Sequence, residues 1–352
     1  MDRDDLGQPV FLPRGVAEPS GRTGYVTNAS AGIDAVDLLT GDLLWSTEVA
    51  SRPLLVFDDR LVAQRAVKEE TNVLELVVLD LTQQGKLVLS SDPVVFPDWV
   101  AVTPGTEESF AYQVFLDHRY LILEWQAHAR YRGGAAPPPH ILERATKDAA
   151  GTARVNLETG EVEMLTHTRH AVTPLADGLQ DVTSRPYLAG SAWHTDPWVA
   201  GKKLCALVSA ESEGREAIYL KTWDVSTGQA YEAILLVTGN ALVPYVTPDK
   251  RYLFIHQELP PAPRPGETQA WWVFSAETGQ RLAQLDYEPG AQQACLLGAR
   301  VYYLIEGPAT SVTGGVSVLP CTLKARDLTS GLVLWERPLQ ARRVSKPPAL
   351  RP

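Results

Sequence analysis

Six times along this 352-residue chain a short apolar run enters a tight turn closed by glycine. The fullest copies lie near the two ends: AVDLLTGDLLW over 35–45 and ARDLTSGLVLW over 325–335. The turn glycines are Gly41, Gly85, Gly160, Gly228, Gly279 and Gly331. Four residues before the glycine stands Asp37, Asn156, Asp224, Ser275 or Asp327; in the second copy Asp80 stands five before. Short polar side chains can accept hydrogen bonds from the backbone of the turn that follows them, and glycine supplies a positive φ without steric cost. With β-prone apolar residues on both sides, each copy predicts a hairpin.

A second turn lies upstream of each of these. It reads small-or-acidic, any residue, then Arg or Lys: Ser20-Gly21-Arg22, Asp58-Asp59-Arg60, Asp117-His118-Arg119, Gly201-Lys202-Lys203, Asp249-Lys250-Arg251 and Gly298-Ala299-Arg300. Strand-like runs follow, such as YLILEWQA and VYYLIEG. Each unit therefore holds two turns and four strands, A to D. Four antiparallel strands repeated in series is the signature of an all-β β-propeller. Successive turn glycines are 44, 75, 68, 51 and 52 residues apart. A bare blade needs about 40–45 residues, so the count is six blades with seven as the alternative. The whole chain, 1–352, is expected as one propeller domain with an inserted loop at 131–151 and a C-terminal tail at 339–352.

The Ala-x-Asp-x-x-Thr-Gly-x-x-x-Trp string of 35–45, repeated at 325–335 with Ser330 for Thr, resembles the repeat of the PQQ-like propellers. That group includes quinoprotein alcohol dehydrogenases and a bacterial outer-membrane assembly lipoprotein. The resemblance implies that Trp45 and Trp335 pack across to a neighbouring blade. Because these copies are first and last, the two tryptophans are expected together at the seam where the ring shuts. The middle copies carry Leu89, Met164, Glu232 and Ala283 at that position. Thr222-Trp223-Asp224 looks like a single WD-repeat strand end. The quinone-binding members use adjacent cysteines and a Ca²⁺ ligand set. This chain's cysteines, Cys205, Cys295 and Cys321, are far apart, so the expectation is no quinone and no other cofactor. Sparse cysteines in apolar runs read as buried free thiols.

Composition narrows the partners. The net charge of −10 disfavours nucleic acid, whose phosphates need a basic face. Arg342, Arg343, Lys346 and Arg351 form one basic stretch, expected as a solvated end. No apolar run reaches bilayer length, and the first twenty residues have no secretory h-region. The expected location is cytoplasmic, or periplasmic or extracellular if the chain is a piece of an exported protein.

Topology then sorts the connections. The A–B and C–D turns share one end of each sheet and are short. The long segments, 66–72, 91–109, 131–151, 167–195, 258–269 and 307–318, share the other. Binding residues concentrate on long loops carried by rigid scaffolds, so the long-loop face is where function is expected. Residues 131–151 combine Gly133-Gly134, Pro137-Pro138-Pro139 and a possible short helix over 140–150 that puts Ile141, Leu142 and Ala145 on one side. Segment 258–269 is proline-rich and reads as extended.

Candidate partner-binding residues on that face are Trp99, His140, Ile141, Leu142, Trp193, His194 and Trp198. Tryptophans commonly anchor interfaces; the alternative is that one or both tryptophans of 193–198 fill the core between blades. His167 and His170 lack a placed third ligand, and a metal site normally needs three or four, so no metal is expected. In the blade-3 strand, Leu121, Leu123, Trp125, Ala127 and Ala129 alternate with Ile122, Glu124, Gln126, His128 and Arg130. No phosphate loop, nucleophile elbow or metalloprotease helix motif is present. The function that follows is a non-catalytic scaffold, expected as a monomer, holding a protein partner on its long-loop face. The alternative is a small-ligand or carbohydrate-binding protein, or an enzyme, using an axial pocket.

Overall fold

The computed structural model describes residues 9–65, 72–97, 100, 110–128, 148–165, 192–193, 197–200, 203–212, 214–247, 250–257, 270–286, 288, 290–312 and 316–345. The fold is all-β, and among the described residues no helix is long and apolar enough to cross a membrane. Sheet 1 runs β1 (Val10–Leu12), β2 (Gly15–Ala17), β3 (Thr23–Thr27), β4 (Ile33–Asp37), β5 (Leu43–Thr47) in that order. Sheet 2 holds β6 (Ala50–Phe57), β7 (Arg60–Arg65), β9 (Leu76–Asp80) and β10 (Lys86–Ser90); β8 (Val73–Leu74) pairs separately with β11 (Val94–Val95). Sheet 3 holds β12 (Phe110–Asp117), β13 (Tyr120–His128), β14 (Asp148–Asn156) and β15 (Val162–Leu165).

Sheet 4 contains β16 (Ala192–Trp193) and β17 (Trp198–Ala200), both on β18 (Lys203–Ser212), then β19 (Arg215–Asp224) and β20 (Ile234–Gly239). Sheet 5 is β21 (Leu242–Val246), β22 (Tyr252–Gln257), β23 (Ala270–Ser275) and β24 (Arg281–Asp286). Sheet 6 is β25 (Ala291–Leu297), β26 (Arg300–Glu306), β27 (Thr310–Val312), β28 (Val316–Asp327) and β29 (Val333–Ser345), with β29 on β28. The expected all-β class of small antiparallel sheets is what forms: among the described residues three of the six larger sheets have four strands and three have five. By contacts the chain falls into two compact units: residues 1–167, 304–324 and 335–352, and residues 168–303 and 325–334.

The C–D turns form as their residues require. Asp37 Oδ1 accepts from Leu39 N (2.7 Å) and Thr40 N (3.2 Å), and Gly41 N donates to Asp37 O at 2.8 Å. Asn156, Asp224 and Asp327 repeat this with their own turns. Ser275 does so through Oγ to Thr278 N, and Asp80 spans its extra residue to Gly85. All six turn glycines have φ between 65° and 83°.

The A–B turns are tied to the C–D turns. The first residue after the capping side chain donates its N–H to an A–B turn carbonyl in five sheets: Leu38 to Arg22, Leu81 to Asp59, Leu157 to Arg119, Ala276 to Arg251 and Leu328 to Ala299. The residue preceding that carbonyl always has positive φ: Gly21, Asp58, His118, Lys250 and Gly298. This corrects the sequence alignment by one residue in the second and sixth copies. There the positive-φ position is Asp58 and Gly298, the first residue of the motif and not the second.

The strand after the C–D turn carries a bulge at one recurring place. Leu44, Val88 and Leu282, each three beyond its glycine, are unpaired extra residues. They are 48%, 51% and 40% exposed. A bulge on an edge strand blunts further pairing and re-aims the next side chain. That next residue is Trp45, Leu89 or Ala283, each at least partly buried.

Several expected loops contain strand. Residues 148–150 open β14, so the helix over 140–150 is overturned at its end; 140–147 lie outside the described residues. Within segment 307–318, β27 pairs with the start of β28, and 91–109 contributes β11. The tail from 339 continues β29 to Ser345, with Leu339 buried, and Arg342 forms a two-point ion pair with Glu306 at 2.9 and 3.1 Å.

Candidate functional site

The two repeat tryptophans each lie against a turn glycine. A Cβ built on Gly85 would lie 2.4 Å from Trp45 Cζ3, so the six-membered ring of the indole packs directly against that glycine. A Cβ on Gly41 would lie 2.6 Å from Trp335 Cγ, and Trp335 Nε1 donates to Leu38 O at 3.2 Å. Each tryptophan therefore covers the turn glycine of another sheet. The expectation of both tryptophans at one seam is corrected: Trp335 joins the C-terminal strand to sheet 1, whereas Trp45 joins sheet 1 to sheet 2.

A buried polar clamp accompanies Trp335. Asp34 Oδ2 accepts from Arg337 Nε at 3.0 Å and Nη2 at 2.5 Å, while Oδ1 accepts from Ser46 Oγ (2.7 Å) and Asn28 Nδ2 (2.9 Å). Their side chains are 8% and 18% exposed. Burial alone would push the Asp34 carboxyl up. The hydrogen bonds from Ser46, Asn28 and Arg337, with the Arg337 charge, outweigh it and hold the group below its ordinary value.

A depression of about 700 Å³ opens at the turn ends of sheets 2 and 3. Carboxylates come from Asp58, Asp59, Asp80 and Glu158, and basic groups from Arg60, His118 and Arg119. Phe57, Leu116 and Leu157 supply apolar surface. The braced turns fix these positions, because Leu81 N–H is held by Asp59 O and Leu157 N–H by Arg119 O, both at 2.9 Å. Asp80 is occupied by its own turn: Oδ1 accepts from Thr82 N, Thr82 Oγ1 and Gln83 N, and Oδ2 from Gln83 Nε2. The Thr82 hydroxyl, above all, holds the Asp80 carboxyl below the usual carboxylate range. Glu158 pairs with Arg119 at 3.4 Å across exposed surface. Sequence reasoning assigned these turns a purely structural role. The signal in the sequence was Asp58 and His118, from two of the three copies in which a residue other than glycine stands at the positive-φ position.

Of the candidate partner-binding residues, Trp198 is 5% exposed and packs with Cys205, Leu207 and Leu253. Its place in the core corrects its assignment to a surface. Trp193 lies in β16, paired with Val208. Trp99, His140, Ile141, Leu142 and His194 lie outside the described residues, as do His167, His170 and segment 258–269. In β13 the alternation holds, with Leu121, Leu123, Trp125 and Ala127 buried. Glu124 on the opposite side accepts from Gln113 Nε2 at 2.8 Å. Ala129 and Arg130 fall outside the described residues. The WD-like Trp223 is 1% exposed. The three cysteines are free and buried, and burial pushes the Cys205 thiol up to about 11. Among the described residues, no group of three or more His, Cys, Asp or Glu is arranged to hold a metal.

No protein-family model and no curated protein matches the chain. Among solved structures, it is similar to a eukaryotic initiation factor at 12% identity over 96% of this chain and 91% of that one, with a TM-score of 0.37. It is also similar to a europium-containing methanol dehydrogenase, at 10% identity over 95% and 80% with a TM-score of 0.29. A third is the Dos1 propeller, at 10% identity over 94% and 69% with a TM-score of 0.27. Likeness at this level assigns no activity.

Proposed function

We propose that the chain is a six-bladed, PQQ-like propeller scaffold, non-catalytic, that holds a protein partner at the long-loop ends of its sheets. The observation that carries this reading is the asymmetry of each sheet's ends. At one end, five sheets carry short turns locked together by backbone hydrogen bonds. At the other, β13 and β14 are separated by residues 129–147, and β15 and β16 by 166–191. Stable sheets with long connections at one end suit recognition. Trp99, His140, Ile141, Leu142, Trp193 and His194 remain the proposed contacts; Trp198 is withdrawn from that set.

Aliphatic side chains on the last strand of each sheet lend further support to a binding role, such as Leu87 at 39%, Met164 at 44% and Leu235 at 51% exposed. Solvent-facing apolar groups of this kind commonly mark contact surfaces when contiguous. The test is affinity capture with the intact chain and with residues 131–147 deleted, each captured protein being identified by mass spectrometry. The expected result is one specific partner lost on deletion while thermal unfolding is unchanged. Capture of the same partner by the shortened chain sinks the reading.

A further inference from the structure

One face of sheet 3 is packed differently from the other sheets. The B strands of the other five, β3, β7, β18, β22 and β26, each hold a run of consecutive buried residues, at 25–27, 61–64, 204–208, 253–255 and 301–304. Both sides of those strands are therefore covered. In β13 only alternate residues are buried. Leu121, Leu123, Trp125 and Ala127 are, whereas Tyr120, Ile122 and Glu124 are half-buried and Gln126 is exposed. The pairing carries this open face across all four strands. Phe115, Ile122, Arg154 and Glu163 form one row, and Gln113, Glu124, Thr152 and Leu165 the next. Directly paired side chains share a face, and none of these eight is fully buried.

The open face carries two opposite charges that do not meet. Arg154 and Glu163 are cross-strand partners. The Arg154 guanidinium instead lies 3.6 Å above the ring centroid of Tyr120, on the other side of β14 from Glu163. Its Nε is buried with no hydrogen-bond partner. Among the described residues no carboxylate pairs with Arg154 and no cation with Glu163. A guanidinium held on an aromatic ring is fixed in place and keeps its outer edge for a carboxylate.

A second copy of the chain answers both observations. Neighbouring charges of opposite sign are self-complementary: a two-fold axis in the plane of the contact sets Arg154 of each copy over Glu163 of the other. Phe115, Ile122 and Leu165 supply apolar contact around the two ion pairs. Four strands at about 4.8 Å spacing give a face of roughly 400 Å² in projection, which puts the contact at the weak end of specific interfaces.

We propose that sheet 3 docks face to face on sheet 3 of a second copy, with Arg154 and Glu163 forming reciprocal ion pairs across the two-fold axis. This dimer replaces the monomer expected from the sequence. It is independent of the long-loop reading, and either can fail alone. Sedimentation velocity of the intact chain at about 1–100 μM should show monomer and dimer in equilibrium. Glu163→Arg and Arg154→Glu, each alone, bring like charges together and should weaken association at least about tenfold. Arg154→Glu combined with Glu163→Arg inverts both signs and should recover the affinity of the intact chain to within about threefold.

Glu48→Arg, at an exposed position outside sheet 3, should leave association within about twofold. Circular dichroism of each variant separates loss of folding from loss of pairing. Where Arg154→Glu does not fold, Glu163→Arg compared with Glu163→Gln carries the test, since only the reversal repels and should weaken association more. An intact chain still monomeric at about 100 μM overturns the proposal. So does unchanged association in Glu163→Arg, an equal loss in Glu48→Arg, or a folded double variant that stays monomeric.

Discussion

The turn glycines at the start of the chain and those near its end meet different neighbours. At Gly41 and Gly85 an indole occupies the space a Cβ would need, at 2.6 and 2.4 Å. At Gly331 the nearest side-chain atom is Leu285 Cδ2, at an ordinary 3.7 Å. All three share positive φ. One recurring residue type therefore answers two demands. Everywhere it provides a backbone conformation; only where a tryptophan lies across it does it also provide room. The same Thr-Gly turn is a hairpin device in one place and a docking platform in another.

Substitutions can break this comparison. The largest effect is expected for Trp335→Ala, about 3–5 kcal/mol of stability lost, since it empties the cover over Gly41 and removes the bond to Leu38. Urea unfolding followed by circular dichroism measures it. A loss below that of a surface substitution would mean the C-terminal strand is held by other contacts. Next comes Asp34→Ala, at about 3 kcal/mol, because Arg337 would be left largely buried without its counter-charge.

The pair also fixes a pH dependence. The folded Asp34 carboxyl titrates below its ordinary value. Its contribution is therefore fully present above the unfolded value of about 3.9 and disappears as pH falls through the lower folded value. Urea midpoints measured at neutral pH and in acid should fall further for the intact chain than for Asp34→Asn. Parallel acid loss in both would show that other carboxylates govern it.

Gly41→Ala and Gly331→Ala sharpen the comparison. Both strain the backbone by about 1 kcal/mol through positive φ. Only Gly41→Ala also forces Trp335 aside, adding about 1–3 kcal/mol. Equal losses in the two would refute the steric half of the argument. The smallest effect is expected for Asp37→Ala, which removes acceptors for Leu39 and Thr40 N–H groups at the surface. Its melting temperature should drop less than that of Gly331→Ala.

Much of the fold was legible because its determinants are local. Asp37, Asn156, Asp224 and Asp327 cap the turns that their spacing from glycine announced, and period-two alternation marked β13 before its partners were known. The alignment of the A–B turns slipped by one residue because Asp58-Asp59-Arg60 fits the charge pattern in more than one register. Only the backbone bond from Leu81 to Asp59 selects one. Trp198 was ambiguous for a similar reason. WHTDPW has the composition of an interface patch, and its pairing with Cys205 puts the second ring in the core. The helix over 140–150 yielded to β14 where the ladder with β13 satisfied the backbone of 148–150.

By itself the sequence determined the strand-turn-strand grammar: which residues turn, which face of a strand is apolar, and that the chain is all-β. Those properties depend on φ preferences and on neighbours a few residues away. Tertiary structure alone decided that Trp45 covers Gly85 while Trp335 covers Gly41. It also decided that Asp34 meets Arg337, and that Asp58 and Asp59 share one depression with His118. Those pairs join residues from different sheets, up to 303 positions apart. Their meeting depends on how bulges aim side chains and how neighbouring sheets pack, which no local pattern encodes.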